Sequence, residues 1–406
     1  MQIFVLCILR NMHLRSRHII DIIHKKARML PLVGVLGPRQ VGKSTLLRDL
    51  LTAKHEIPYF TLDRPEILRE VRSKPEAFVL HHSENFSIPI IIDEAHKVPQ
   101  LFDVLKVLAD EKRTRGVIYL TGSVDFSHAA GVRETLTGRI GIARLYPMTI
   151  AELANRAFAN TWSRPIRAAA KPVATSREIE TWIERGGMPA ICKFSDSSER
   201  ATLISEWLQS VCYRDLPQLR GSRYEGAVAL EILEMIAQNP EFSQADFAKQ
   251  LGIDSRLVGK YLSALEALYV IYRIPPYKAR RGSGFDRFYL FDAGIAAHLG
   301  ASKKTCYTIL LINEIRAQTE YSGSTRADIY FYALRGNTKF DLLVKTGQKL
   351  HPILVSERAE IDPYTRRSLM SLAKDPDFDH IQVAAPIVSH YKLATGIVVR
   401  PFIDFV

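Results

Sequence analysis

The four cysteines, Cys7, Cys192, Cys212 and Cys306, form no C-x-x-C pair. They are too few and too scattered for a disulfide framework and read as free thiols in a reducing compartment. Long apolar runs are also missing. The segment "MQIFVLCILRNM" at the start of the chain is apolar only from Ile3 to Leu9. That is shorter than a signal-peptide core, far too short to span a bilayer, and it lacks a small-residue cleavage site. A chain beginning at Met12 accounts for it equally well. These absences point to a cytoplasmic chain with no membrane partner. Internal repeats and low-complexity tracts are lacking too, which excludes an array of identical units. Acidic residues are under-represented: 43 Asp and Glu face 55 Lys and Arg, giving a net charge of +12. Such a balance favours polyanionic partners, nucleic acid before anionic membrane, although a diffuse excess serves solubility equally.

What is present suits a multidomain globular protein. At 406 residues, with 47% hydrophobic and 24% charged residues, the chain exceeds the size at which one core keeps growing, so two to four domains are expected. Up to about Ile150, short β-branched runs alternate with helical stretches. The strand candidates are "LPLVGVLG", "IPYFTLD", "IPIIIDE", "RGVIYLTGS" and "GIARLYP". Near-continuous apolar runs of this kind suit strands buried on both faces of a parallel sheet. After Pro147 the pattern turns helical, with a polar break around "TWSRPIRAAAKPVATS" that reads as a flexible connection. Short amphipathic helices fill Glu225 to Leu299. From Cys306 β-rich runs return, interrupted by a helix from Pro363, as a second α/β unit.

Residues Gly37 to Ser44, "GPRQVGKS", fit G-x-x-x-x-G-K-[ST] between an apolar strand and an amphipathic helix. That context makes it a phosphate-binding loop. Gly37 and Gly42 let the backbone curl so that its N–H groups point at phosphates, and the following helix adds its positive dipole end. Pro38, Arg39, Gln40, Val41 and Thr45 complete the cradle. Lys43 is placed for the β- and γ-phosphates, and the Ser44 hydroxyl for Mg²⁺. About 50 residues on, "PIIIDEAHK" ends a strand in Asp93-Glu94. One carboxylate is expected to hold Mg²⁺ and the other to polarise an attacking water.

The gap between these motifs leaves room for an extra strand, the layout of ATPases rather than GTPases, and no guanine-reading N-K-x-D is evident. "DEAH" also occurs in helicases, but the second motor lobe of a helicase is missing. Thr121 and Ser123 end another strand, where a polar side chain can sense the γ-phosphate or simply cap the strand. Arg133 and Arg139 are candidates for a transition-state arginine, acting in cis or from a neighbouring subunit. Arg139 is the stronger because glycines set it on a tight turn.

"FSQADFAKQLGIDSRLVGKYLSALEALYVIYRIPPY" reads as a helix-turn-helix. Ser243 caps one helix, Gly252 makes the turn, and Asp254 or Ser255 caps the next. Phe247, Leu251, Val258, Leu262 and Leu265 form its core. "KARRGSGFDRFYL" supplies a basic wing with Lys278, Arg280, Arg281 and Arg287, while Arg256 and Lys260 lie on the second helix. The unit either contacts duplex DNA or serves as a packing module.

These segments together resemble bacterial and archaeal AAA-type ATPases that carry a C-terminal domain of unknown function. The resemblance rests on "GPRQVGKSTLL", "IIDEAHKVPQLFDVLK", "YLTGS", "LTGRI", "LYPMTIAEL", "GGMP" and "NEI", and covers most of the chain. The family usually shows Gln where this sequence has His96. The resemblance implies an AAA-like domain, a winged-helix region and a restriction-endonuclease-like α/β domain, and it suggests self-assembly. In that last domain the family commonly shows Glu-x-Asp and then Glu-x-Lys, which bind Mg²⁺ and activate water. Here Lys339 replaces the first acid, Asp341 is kept, and Leu354 and Ser356 stand where the second acid and the lysine belong. Glu314 matches a helical glutamate of the family. This reads as a nuclease fold without its chemistry.

The expectation is therefore an α/β P-loop domain of AAA type over residues 18–150, with a three-layer parallel sheet. A helical lid (151–222), a winged helix (223–300) and an inactive nuclease-like domain (301–406) follow. ATP and Mg²⁺ are the expected cofactors. Glu94 and Arg139 are the catalytic candidates, and duplex DNA, a protein and further copies of the chain the candidate partners.

Overall fold

In the computed structural model the five apolar runs of the N-terminal region form one parallel sheet. Its strands are β1 (Leu32–Leu36), β2 (Tyr59–Thr61), β3 (Ile90–Asp93), β4 (Ile118–Gly122) and β5 (Ile140–Arg144), in the order β2-β3-β4-β1-β5. The structure describes residues 16–51, 57–126, 136–162, 176–220, 224–277, 284–323, 327–334, 337–378 and 380–405. The expectations for the segment before residue 16, for Arg133, for the connection over 163–175 and for Lys278, Arg280 and Arg281 lie outside those residues.

Strands β1, β3 and β4 are buried along their whole length, as strands covered on both faces must be. Because side chains alternate across a strand, Val33, Val35, Ile91 and Tyr119 enter one core and Leu32, Leu36, Ile90, Ile92, Ile118 and Leu120 the other. The first face receives α1 (Ile20–Met29) and the helix after the phosphate loop, which opens as α2 (Lys43–Thr45) and continues with π winding over Leu46–Leu51. The second is covered by α3 (Pro65–Ser73), α4 (Pro75–His82) and α5 (Gln100–Lys112).

Beyond β5 come α6 (Ile150–Leu153), α7 (Ser176–Arg185), α8 (Pro189–Cys192) and α9 (Ser197–Ser210). The last continues through a π-wound turn, Val211–Asp215, into α10 (Leu216–Arg220). Three helices follow, α11 (Gly226–Gln238), α12 (Gln244–Leu251) and α13 (Ser255–Ala267), then an antiparallel hairpin of β6 (Ile271–Ile274) and β7 (Arg287–Leu290). Ser243 caps α12 through a reciprocal pair with Asp246, Gly252 ends it at φ +65°, and Asp254 caps α13. Phe247, Val258, Leu262 and Leu265 are buried and Leu251 packs against them.

After α14 (Ala293–His298), the last unit has the order α15 (Lys303–Tyr321), β8 (Ala327–Leu334), β9 (Asn337–Thr346), β10 (Lys349–Val355), α16 (Pro363–Leu372), β11 (Ile381–Ala385), β12 (Tyr391–Ala394) and β13 (Ile397–Pro401). Strands β8 to β10 form an antiparallel meander, and β11 joins β10 in parallel after the α16 crossover. Leu342, Val344, Ile353 and Val355 face α15, whereas Phe340, Leu343 and Val383 pack with Leu369 of α16.

One continuous apolar core runs from β1 and α1 through the middle helices into α15 and the second sheet. The modules are fused through this core. Cys192, Cys212 and Cys306 are buried, and burial pushes the Cys212 thiol up to about 12 and the Cys306 thiol to about 11. Among the described residues no helix is long and apolar enough to cross a membrane.

Candidate nucleotide site

Strand order builds the site. Residues Leu36 of β1 and Gly122 of β4 are in register, and the Gly37 N–H donates to the Gly122 carbonyl at 3.4 Å. Because β4 lies between β1 and β3, the ends carrying Gly37, Ser123 and Asp93-Glu94 stand side by side at one edge of the sheet. This is the edge at which parallel α/β sheets bind ligands.

The loop itself demands glycine at two places. A Cβ on Gly37 would fall 2.3 Å from the Leu145 carbonyl oxygen, and Gly42 sits at φ +100°, a region that L side chains rarely enter. Between them Gln40 adopts φ +62° and is exposed. The Lys43 ammonium is buried and donates to the carbonyls of Gly37 at 2.9 Å and Pro38 at 2.8 Å. Burial presses its pKa down, against the pull of Glu94 and Asp93.

Asp93 gathers three hydroxyls. Ser44 donates to Oδ1 at 2.9 Å, Thr121 to the same oxygen at 2.5 Å and Tyr59 to Oδ2 at 2.7 Å. Hydrogen bonds to a charged group contribute about 1.5–3 kcal/mol each, so the carboxylate is held in one orientation. Glu94 leaves the strand at φ +57°, strained for a side-chain-bearing residue. Its N–H is held by Thr121 Oγ1 at 3.0 Å. The turn aims its carboxylate at Ser123, whose hydroxyl donates to Oε2 at 3.1 Å. His96 Nδ1 lies 3.2 Å from that oxygen, outside hydrogen-bond alignment. Burial would raise the Glu94 carboxyl, but His96, Lys43 and Ser123 outweigh it and hold it at about 2.

The surrounding helices lean on the loop. Arg39 Nη1 pairs with Asp215 Oδ1 at 2.8 Å, and the Trp207 indole donates to the Arg39 carbonyl at 3.3 Å. Arg17 is buried and donates to the carbonyls of Val41 at 3.0 Å and Tyr146 at 2.7 Å, with its Nε 3.2 Å from Glu152. Tyr59, Arg17, Trp207 and Asp215 were not anticipated from the sequence. Tyr59 gives no local signal, because its role depends on β2 pairing beside β3. Arg17 precedes the expected domain start, and a guanidinium under a loop declares itself only through the fold.

Several expectations are corrected. Arg139 sits at the opening end of β5, beside Leu32, and makes a two-pronged ion pair with Asp110 at 2.6 and 2.7 Å. The five residues of β1 separate it from the phosphate loop, about 16 Å of strand. Arg139 therefore takes no part in the site of its own chain. Arg287 is no wing cation: it is buried, pairs with Glu241 at 2.5 Å and stacks 4.1 Å over the Phe331 ring. Arg256 and Lys260 are exposed, four residues apart on α13.

Glu314 does not join Asp341. It is buried and accepts the Ile150 N–H at 2.7 Å, capping α6. Asp341 is neutralised by Lys304 at 2.9 Å and accepts the Val355 N–H at 2.8 Å, while Lys339 donates to Ser368. Among the described residues no three His, Cys, Asp or Glu side chains are grouped to hold a metal.

A strand–loop–helix cradle over a parallel sheet, with an acidic strand end two strands away, defines a P-loop NTPase domain. Comparison with known proteins agrees: residues 30–154 match the family described as an AAA domain, and residues 176–305 match a domain of unknown function. Two mycobacterial proteins, from Mycobacterium tuberculosis and Mycobacterium bovis and both described as uncharacterised, are each 27% identical over 386 residues. The match covers 91% of this chain and 80% of theirs. Among solved structures, a Walker-type ATPase of Pyrococcus abyssi aligns with a TM-score of 0.42 and 16% identity, over 69% of this chain and 94% of that one.

Proposed function

We propose that this chain binds ATP with Mg²⁺ at residues 37–45, hydrolyses it slowly, and uses the nucleotide state to reposition its three-helix unit and C-terminal domain. The observation that carries the reading is the arrangement of Ser44, from the helix after the phosphate loop, and Thr121 on Asp93 and of Ser123 on Glu94, where β1, β3 and β4 end side by side. A hydroxyl and a carboxylate within 2.9 Å are hard oxygen donors, and they suit a cation that takes one or two protein ligands and completes its shell with water and phosphate. Mg²⁺, when bound, neutralises charge on the phosphate oxygens.

In this reading the loop N–H groups and Lys43 hold the phosphates, Asp93 and Ser44 hold the metal, and Glu94 orients the attacking water. A carboxyl held at about 2 is a weak base, so it adds little driving force to proton transfer. That supports slow turnover.

A direct contact supports the coupling. Two residues beyond Ser123, the Asp125 N–H donates to the Ala267 carbonyl at 3.0 Å and the Asp125 carboxylate accepts the Tyr269 hydroxyl at 3.0 Å. Movement of the β4 end is thereby passed to the C-terminal end of α13, whose exposed face carries Arg256 and Lys260. Three helices followed by a hairpin support a winged helix there, with duplex DNA as the partner. The α-β-β-β-α-β order after residue 302 supports a nuclease-like fold. The Lys304–Asp341 pair and the capping role of Glu314 support its having no cleavage activity.

The test is steady-state hydrolysis by wild type and Glu94→Gln, with and without duplex DNA. Glu94→Gln, which loses the carboxylate that orients the attacking water, should lower turnover about a hundredfold with ATP binding retained, and DNA should stimulate the wild type. Turnover indifferent to Glu94 would sink the ATPase reading. ATP binding with no Glu94-dependent turnover would leave a regulator that binds nucleotide without consuming it.

A further inference from the structure

Arg39 is the third residue of the eight-residue loop Gly37 to Ser44, yet its guanidinium is engaged with a different part of the chain. Its partner, Asp215, ends the π-wound turn that links α9 to α10. The Asp215 carboxylate is 11% exposed and the Arg39 side chain 34%, so the pair is sheltered on one side and open on the other. Arg214 reaches the same Asp215 oxygen with its Nε at 3.1 Å. The backbone is tied as well, since Trp207 of α9 donates to the Arg39 carbonyl. Pro189 lies against Gly42, 3.7 Å from where a Cβ would stand. The helices α8 to α10 therefore rest on the phosphate loop, and Arg39 is the charged link between them.

We infer that Arg39 is a γ-phosphate latch: it holds Asp215 until a nucleoside triphosphate arrives, then transfers its guanidinium to the terminal phosphate and frees the Val211–Asp215 turn. The swap is chemically matched. A guanidinium presents the same fork of donors to a carboxylate or a phosphate, and the phosphate carries the greater charge. Asp215 is not left as an uncompensated buried carboxylate, which would be strongly destabilising, because Arg214 remains on it. A diphosphate offers no terminal phosphate at this position, so the latch distinguishes ATP from ADP. This inference rests on the ATP-binding reading above and adds the residue that reports which nucleotide is bound. It also supplies a cation within the chain, where Arg139 cannot reach.

The test uses the full chain with Mg²⁺ and measures dissociation constants for ATPγS and ADP in wild type, Arg39→Ala, Arg39→Lys, Asp215→Asn and Lys43→Ala. Arg39→Ala should weaken ATPγS about tenfold or more and ADP by less than about threefold. Asp215→Asn should tighten ATPγS relative to ADP, because Arg39 is released in advance. Arg39→Lys, which keeps the charge but loses the fork, should fall between wild type and Arg39→Ala. Trp207 emission gives an independent readout: ATPγS should change it in wild type, ADP should not, and Trp207→Phe should abolish the change. Equal losses for both nucleotides in Arg39→Ala, or no shift of the ratio in Asp215→Asn, would overturn the latch alone. Wild type binding neither nucleotide, as Lys43→Ala should behave, would overturn the ATP reading and the latch together.

Discussion

Glu94 and Glu314 show how surroundings assign different tasks to the same side chain. Glu94 is surrounded by donors and remains a carboxylate throughout the physiological range. Hydrolysis should therefore show no acid limb from this group between pH 5 and 8, which a pH–rate profile checks. Burial pushes the Glu314 carboxyl up to about 7, against hydrogen bonds from Ile150 N–H and Gln318. A raised carboxyl pKa means that the folded state binds its proton more tightly than the unfolded state. The associated stability is present below the unfolded value near 4.5 and is lost as pH rises through about 7. A neutral Glu314→Gln variant escapes that loss. Its stability relative to wild type should grow by about 3 kcal/mol between pH 4.5 and 8, read from urea midpoints. A constant difference across that range would show that Glu314 does not titrate there.

Elements are joined here by single buried acceptors. Asp292 receives the N–H groups of Gly294 and Ile295, capping α14, and that of Gly187 in "GGMP". The contact is so close that a Cβ on Gly186 would lie 2.2 Å from Asp292 Oδ1, so the glycine in that segment is required by the approach of a neighbouring element. Asp292→Ala leaves those buried N–H groups without this carboxylate. It should cost about 3 kcal/mol, measured by urea unfolding; a cost below about 1 kcal/mol would mean that water replaces the carboxylate. The same scale explains Thr121 and Ser123. As residues of a strand end they could only be candidates in the sequence. Insertion of β4 between β1 and β3 brings one onto Asp93 and the other onto Glu94.

Across the whole molecule, one apolar core fuses the parallel sheet, the middle helices and the second sheet. If the proposed coupling holds, nucleotide binding works by shifting polar contacts at the core's edge, such as Arg39–Asp215 and Asp125–Ala267, rather than by swinging tethered modules. Arg139 lies far from both contacts, at the opposite end of β5. Arg139→Ala should leave hydrolysis within about twofold of wild type at concentrations where sedimentation shows a monomer. A larger loss in the monomer would contradict the geometry, whereas a loss confined to an assembled form would identify Arg139 as a donor to a neighbouring copy.

Local rules made the phosphate loop legible. A cradle of consecutive residues at fixed spacing, an apolar strand before it and an acidic strand end after it are all written along the chain. The five strands, the Ser243 cap and the Gly252 turn were legible for the same reason, since each depends on neighbours a few residues away, while the choice of Asp254 over Ser255 as the next cap came from the structure. Tertiary structure decided everything that depends on distant segments meeting. Strand order made Tyr59 and Thr121 partners of Asp93. Burial turned Arg287 from an expected wing cation into a structural group and made Glu314 the acceptor that caps α6, and the fold carried Arg139 to the wrong edge of the sheet. It also brought Asp215 to Arg39, 176 positions away. A sequence specifies which charges exist, but only the packed chain specifies which of them meet.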